Sequence, residues 1–280
     1  MSSNICPRMI DPAAARTLIG PLTDVVTQAG RAILEVKRTS MRVEGKADGS
    51  PVTDADHAAD RIIAEGLGRA APGLPVLSEE RTDLATRPYA DSFFLVDPLD
   101  GTKEFIAGRD EFTVNIALIT HGRPVLGVIA APALGLIWRG IPGHGAERLA
   151  IMSDGKTGPS EPIRTRPHPL PGQPWIVAVS RSHGDPRTEA FIANRPGAVR
   201  LALGSAIKFG RIAEGNADIY PRLSPTSEWD VAAGQAVVVA AGGQVTDGAG
   251  REMRFGQMRE DFLVPDFIVW GDPKTAEMPR

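Results

Sequence analysis

Two aspartates three positions apart, Asp97 and Asp100, close a nearly all-apolar run, Phe93-Phe-Leu-Val96. Pro98 holds Asp97 in an extended conformation, so both carboxylates can be presented at a strand end. Gly101-Thr102 follows and reads as the opening of a helix, whose free backbone N–H groups bind anions, phosphate above all. Carboxylates beside an anion site make sense only with a cation between them. Two carboxylates about 4 Å apart repel by roughly 4 kcal/mol at an effective dielectric near 20. A hard divalent cation with oxygen ligands removes that repulsion. The same residues could instead form a capped surface turn, and it is the buried strand before them that favours the cation reading.

Three more acidic stretches could join. Glu79 and Glu80 follow the short apolar run Val76-Leu77-Ser78, and as a pair they also suit a solvated strand end. Asp230 stands in Glu228-Trp-Asp-Val-Ala-Ala-Gly234, at the head of an apolar helical stretch, where the helix dipole alone favours a carboxylate. Asp56 lies near the start of another helix, in Val52-Thr-Asp-Ala-Asp56; Thr53 or Asp54 can cap that helix, which leaves Asp56 without an evident structural duty. No Cys or Ser stands in a recognisable nucleophile turn, and the one cysteine is Cys6. The sequence therefore offers no obvious covalent nucleophile.

The elements that must position these groups change character along the chain. A helical pattern covers 13–38, with a break or restart expected at Pro21. A polar loop is expected over 44–51 and a second helix over 54–70, stopped by Pro72-Gly-Leu-Pro75. The period then shifts to strands over 76–79, 93–97, 113–119, 124–130 and 134–139, so the first half reads as α+β. A proline-rich connector follows, and the expected domains are 1–155 and 156–280. Beyond it, strands (175–180, 199–203, 217–220, 244–246, 267–270) alternate with helices (186–193, 205–214, 229–241), as in α/β layering.

Composition bounds the function. The chain has 280 residues, with 31 Lys and Arg against 34 Asp and Glu, a net charge of −3. That balance argues against nucleic-acid binding, which runs on basic patches. With 42% apolar and 23% charged residues, disorder, collagen-like repeats and coiled coil are excluded as the main plan. A single cysteine excludes a disulfide scaffold. The longest apolar stretch, 125–138, is interrupted by Gly127, Pro132 and Gly135 and is too short to span a membrane. The first dozen residues read as a loose tail without a secretory h-region, so the expected compartment is the cytoplasm.

Together, Val52-Thr-Asp-Ala-Asp56, Leu77-Ser-Glu-Glu80, Asp97-Pro-Leu-Asp-Gly-Thr102, Trp229-Asp-Val-Ala-Ala-Gly234 and Ala241-Gly-Gly243 resemble, in order and spacing, the Mg²⁺-dependent, lithium-sensitive phosphatases of the inositol monophosphatase superfamily. Within it, Lys103-Glu104, Glu111-Phe-Thr-Val-Asn-Ile-Ala-Leu118, Ser180-Arg-Ser-His183, Leu203-Gly-Ser-Ala-Ile-Lys-Phe209 and Ala217-Asp-Ile-Tyr-Pro-Arg222 are similar to the CysQ-type 3'(2'),5'-bisphosphate nucleotidases. The resemblance implies a layered αβαβα sugar-phosphatase fold. It implies two or three Mg²⁺ ions on Glu79, Asp97, Asp100, Asp230 and the Leu99 carbonyl. Gly101 and Thr102 would hold phosphate through backbone N–H groups, Asp56 and Thr102 would activate the water, and Glu80 would assist from behind. His183, Gly204, Ser205 and Lys208 would contact the nucleoside and a second phosphate. Arg81 departs from the type, where another acid is often found.

The implied activity is removal of the 3'-phosphate of 3'-phosphoadenosine 5'-phosphate, and of its sulfated form, in sulfur assimilation. Rival readings are an inositol monophosphatase or fructose-1,6-bisphosphatase of the same superfamily, or a nucleotide-binding regulatory module without catalysis. Monomer and homodimer both remain open, as does peripheral attachment to the cytoplasmic face of the inner membrane.

Overall fold

A computed structural model of the chain describes residues 12–39, 41–46, 49–81, 91–182, 184–256 and 262–277. His183, Cys6 and the expected tail over 1–11 lie outside the described residues.

The N-terminal apolar stripe belongs to one unbroken helix, α1 (Pro12–Thr39), which runs through Pro21 rather than restarting there. Pro21 and Thr17 are both exposed, so the carbonyl that the proline ring leaves unpaired lies on the solvent side. Leu18, Leu22, Val25, Val26 and Ala29 are buried on the other face and hold the helix through the defect. The expected polar loop is a small hairpin, β1 (Val43–Gly45) with β2 (Pro51–Thr53). β1 is exposed at every residue, so no alternation of apolar groups marks it in the sequence. Then α2 (Asp54–Ala70) starts and stops where expected, with Thr53 as its N-cap.

The first sheet has seven strands in simple chain order: β3 (Val76–Ser78), β4 (Ser92–Asp100), β5 (Thr113–Thr120), β6 (Arg123–Ala131), β7 (Leu136–Ile141), β8 (Gly145–Ala150) and β9 (Glu161–Ile163). A short helix, α3 (Thr102–Ile106), lies between β4 and β5. Only β3 runs parallel to its neighbour. Neither β8 nor β9 was expected: β8 is partly exposed along its length, and β9 carries Pro162 and is paired on one side only.

The second sheet has the order β11-β10-β12-β16-β14, formed by β10 (Ile176–Ser180), β11 (Val199–Leu203), β12 (Ile219–Arg222), β14 (Gln244–Thr246) and β16 (Phe267–Trp270). Between these strands run α4 (Pro186–Ala193), α5 (Ile207–Ala213) and α6 (Glu228–Ala240). A two-residue pair, β13 (Thr226–Ser227) with β15 (Leu263–Val264), sits beside the head of α6.

Side-chain alternation on β4 sorts the layers. Phe94 and Val96 join α1 and α2 in one apolar cluster. Phe93 and Leu95 face the other way, into a cluster with α5, α6 and Phe267 and Val269 of the second sheet. A third cluster, with Val177, Ile219, Ile268 and Ile192 of α4, covers the outer face of that sheet. The order is helices, seven-stranded sheet, helices, five-stranded sheet, helix: the layered αβαβα arrangement that the resemblance implies. Because α6 is enclosed between two sheets, its sequence is apolar nearly all round. Its approach to the first sheet is close: a Cβ on Gly127 would lie 2.3 Å from the Ala233 carbonyl oxygen.

Candidate active site

β4 ends on the paired aspartates, and α6 begins beside them. Asp230 occupies the third position of α6, where its carboxylate accepts from the Ser227 backbone N–H and from the Thr226 hydroxyl, completing a capping box. One carboxylate oxygen each from Asp97, Asp100 and Asp230 lie within 4.8 Å of one another. Asp97 also accepts from the Leu99 backbone N–H at 3.0 Å, which folds the Asp97-Pro98-Leu99 turn back on itself. Asp100 is approached by Thr113 Oγ1 and Asn115 Nδ2, both at 3.4 Å, from the neighbouring strand β5.

The electrostatics of this cluster are unfavourable without a cation. Burial, then Glu79 and Asp100, push the Asp97 carboxyl well above the usual carboxylate range. Burial and Asp230 push Asp100 up to about 7, and burial likewise moves Glu79 to about 7. An all-oxygen set of crowded carboxylates matches a hard divalent cation such as Mg²⁺. So the donor chemistry fits the metal that the sequence pattern implies.

Gly101 caps α3 in the left-handed region, with φ 93°. A side chain there would also press on the Glu111 carbonyl oxygen at 3.2 Å and the Ser205 Cβ at 3.3 Å. Thr102 donates from its hydroxyl toward Asp56 Oδ1 at 3.3 Å and the Leu99 carbonyl at 3.2 Å. Asp56 has the structural duty that the sequence reading did not assign it. Its Oδ2 accepts from the Thr53 N–H and hydroxyl at 2.8 and 2.6 Å, closing the capping box of α2, while Oδ1 faces Thr102. Glu80 is outside the Asp97–Asp100–Asp230 group and is paired with a lysine (below). Arg81, the departure from the type, is spent on Asp60, Nη2 to Oδ1 at 3.0 Å.

Glu79, Asp97, Leu99, Asp100, Gly101, Thr102 and Asp230 line a cavity of about 220 Å³ that also takes in Gly204, Ser205, Lys208, Tyr220 and Arg222, with Asp56 and Glu80 outside its lining. The Gly204 N–H donates to the Glu111 carboxylate at 2.9 Å, and the Ser205 hydroxyl donates to the Glu111 carbonyl at 3.2 Å. Lys208 is 2% exposed, and its ammonium donates to the Leu203 and Ser205 carbonyls, so one of its three protons is left for the cavity. Burial pushes Lys208 down to about 8, against the pull of Asp100.

Two cations in or beside the site were missed by the sequence reading. Lys46, in the β1–β2 turn, donates to Glu79 and Glu80, each at 2.7 Å. Burial works to lower its pKa, but the two glutamates overcome this and hold it above the usual lysine range. A single lysine in a polar loop gives no signal of a partner 33 residues away. Arg222 ends β12; its buried Nε finds no acceptor among the described residues, and its Nη2 donates to the Pro225 carbonyl at 3.3 Å. It belonged to a segment marked only as a likeness, so nothing in the sequence gave it a role.

Comparison with known proteins agrees with this geometry. The profile of the "Inositol monophosphatase family" matches residues 15–277. A protein of Escherichia coli K12 named "3'(2'),5'-bisphosphate nucleotidase CysQ" is 41% identical over 255 residues, 90% of this chain and 99% of the relative. Its namesake in Haemophilus influenzae is 28% identical over 263 residues, 91% and 93% of the two chains. Among solved structures, CysQ from Bacteroides thetaiotaomicron superposes with a TM-score of 0.75 at 38% identity, covering 90% of this chain and 96% of that one. The IMPase of Thermotoga maritima superposes at 0.71 with 25% identity, covering 90% and 91%. The chain belongs to the inositol monophosphatase family.

Proposed function

We propose that the protein is a Mg²⁺-dependent phosphatase that removes the 3'-phosphate of 3'-phosphoadenosine 5'-phosphate, giving AMP and phosphate, and that it accepts the sulfated form as well. The observation that carries this reading is one cavity holding both kinds of group: crowded carboxylates at one end, and two cations, the buried Lys208 and the half-buried Arg222, lining it with them. A substrate with one phosphate to cleave and a second to hold needs both. The curated relatives named for this activity support it at 41% identity over nearly their whole length.

In this reading Glu79, Asp97, Asp100, Asp230 and the Leu99 carbonyl hold two or three Mg²⁺ ions. When bound, the metal lowers the pKa of a water, polarises the phosphoryl oxygens and neutralises the leaving oxygen. The Gly101 and Thr102 backbone N–H groups hold the phosphate. Thr102, donating to Asp56, keeps its oxygen lone pairs turned to an attacking water and takes up that water's proton as its own passes to Asp56. Glu80 supports this end through Lys46. Ser205, Lys208 and His183 serve the nucleoside and the second phosphate, and Gly204 shapes their turn. Such chemistry belongs with sulfur assimilation and with the cytoplasm; among the described residues no helix is long and apolar enough to cross a membrane.

The test is phosphate release, with and without Mg²⁺, from 3'-phosphoadenosine 5'-phosphate, inositol 1-phosphate and fructose 1,6-bisphosphate. Strong Mg²⁺-dependent turnover of the adenosine compound over the other two is expected. Preference for the inositol or sugar phosphate would keep the metal cluster and overturn the nucleotide reading.

A further inference from the structure

Glu111 joins three segments that are far apart in the chain. Arg181, just beyond β10, donates to it in a bidentate pair, Nε to Oε2 and Nη2 to Oε1, each at 2.7 Å. The Gly204 N–H donates to the same Oε2 at 2.9 Å. The Glu111 main-chain carbonyl accepts from Ser205 Oγ at 3.2 Å, and that carbonyl also borders Gly101. Arg181 closes the ring: its Nη2 donates to the Ala202 carbonyl and its N–H to the Leu203 carbonyl, at 2.7 and 3.1 Å.

This junction holds a turn that would not keep its shape alone. Ser205 adopts a positive φ of 43°, which a residue with a side chain takes up only when its surroundings impose it. Gly204 has no room for a Cβ, which would fall 2.5 Å from the Glu111 carbonyl oxygen and 2.8 Å from the Glu111 Cβ. Lys208 donates to the Ser205 carbonyl at 2.6 Å, so the position of its ammonium follows that of the turn. On the other side, the Gly101 turn packs against both Glu111 and Ser205. Two turns on different sheets are thus spaced by one residue.

We infer that Glu111, clamped by Arg181, is a positioning residue that sets the distance between the phosphate-cleaving turn at Gly101 and the Ser205–Lys208 turn, and so selects substrates with two phosphates at a fixed separation. The inference rests on the proposed function and adds the device that measures the substrate. Glu111 does not touch the reacting atoms. Its effect is on where Lys208 meets the second phosphate, because a charge-assisted bidentate pair fixes direction as well as distance.

The experiment compares kcat and KM of the full chain at saturating Mg²⁺ on 3'-phosphoadenosine 5'-phosphate and on inositol 1-phosphate, for wild type, Glu111→Gln and Arg181→Gln. Arg181 reaches the junction from the exposed side, so its variant keeps the interior intact should Glu111→Gln fold poorly. Both variants are expected to raise KM for the bisphosphate by about tenfold, the equivalent of one lost hydrogen-bonded contact. The kcat for that substrate, and both constants for the single-phosphate substrate, should stay within about threefold. The double variant should lose no more than the worse single one, because both break the same junction. Equal losses on both substrates would mean a merely structural role and overturn the inference, as would wild-type selectivity surviving in both variants. Wild-type enzyme that shows no preference for the bisphosphate would instead overturn the proposed function, and the inference with it.

Discussion

Stripping the divalent cation from this protein should make its stability fall as pH rises, and the size of the effect can be worked from the carboxylate cluster. With the Asp97, Asp100 and Asp230 oxygens within 4.8 Å of one another, each ionised pair repels by at least about 3 kcal/mol at an effective dielectric near 20. Without a cation the folded chain relieves this by holding a proton, which is why burial and Asp230 raise Asp100 from 3.8 to about 7. The unfolded chain releases that proton near pH 4. Between about pH 4 and pH 7 the folded state therefore binds the extra proton, and by linkage its stability declines as pH rises through that window. Asp100 alone corresponds to about 4 kcal/mol at ~1.4 kcal/mol per pH unit, discounted to about 2–4 for its remaining contact with water. For 280 residues the unfolding entropy is about 0.6 kcal/mol/K, so the melting temperature should drop by roughly 3–7 °C.

The assay is thermal melting in chelator and in excess Mg²⁺, at about pH 5 and about pH 8, on either side of the titration. Mg²⁺ needs the carboxylates ionised, so its stabilisation grows with pH. The gap between the two melting curves should widen from the acid to the alkaline condition, and Asp100→Asn should shrink that widening while abolishing turnover, with Glu79 and Asp97 supplying the remainder. A gap of equal size at both pH values would refute the reasoning, and so would full widening in the asparagine variant.

Other outcomes follow from single contacts. Lys208→Ala should raise KM for the bisphosphate by about 10–100-fold while changing kcat/KM for inositol 1-phosphate less than about threefold, since one buried cation is lost from one end of the cavity; equal losses in steady-state assays on both substrates would remove the role given to Lys208. Lys46→Met leaves Glu79 and Glu80 without their shared counter-cation. Calorimetric titration should then show Mg²⁺ binding several-fold tighter, whereas weaker binding would mean that Lys46 supports the metal-bound state. Gly127→Ala forces a Cβ against the Ala233 carbonyl oxygen and should cost about 1–3 kcal/mol of stability. By contrast Gly68→Ala, in α2 with open space around it, should stabilise by about 0.5–1 kcal/mol; urea denaturation that ranks the two variants the other way would contradict the packing of α6 on the first sheet.

What could be read in the chain was what short-range physics decides. α2 was legible from Thr53 to Ala70 because a cap and a periodic apolar face lie within that stretch and a Pro-Gly stop follows directly after it. The run Phe93-Phe-Leu-Val96 announced a strand buried on both faces, and the paired aspartates with Gly101 after it announced a cation-assisted anion site. Asp230 was legible as a helix-head carboxylate, but its meeting with Asp97, 133 positions earlier, came only through the family likeness until the fold brought them together. Other features were decided by tertiary packing. Pro21 should break a helix, yet burial of the opposite face carries α1 through it. β8, β9, β13 and β15 are short or partly exposed, and they exist because a neighbouring strand is there to pair with. The grip of Lys46 on Glu79, the orphaned Nε of Arg222 and the clasp of Arg181 on Glu111 each depend on side chains from separate elements. Local propensity and pattern carry no record of such contacts, because their free energy arises only when the layers close and exclude water around charges that each segment alone would leave solvated.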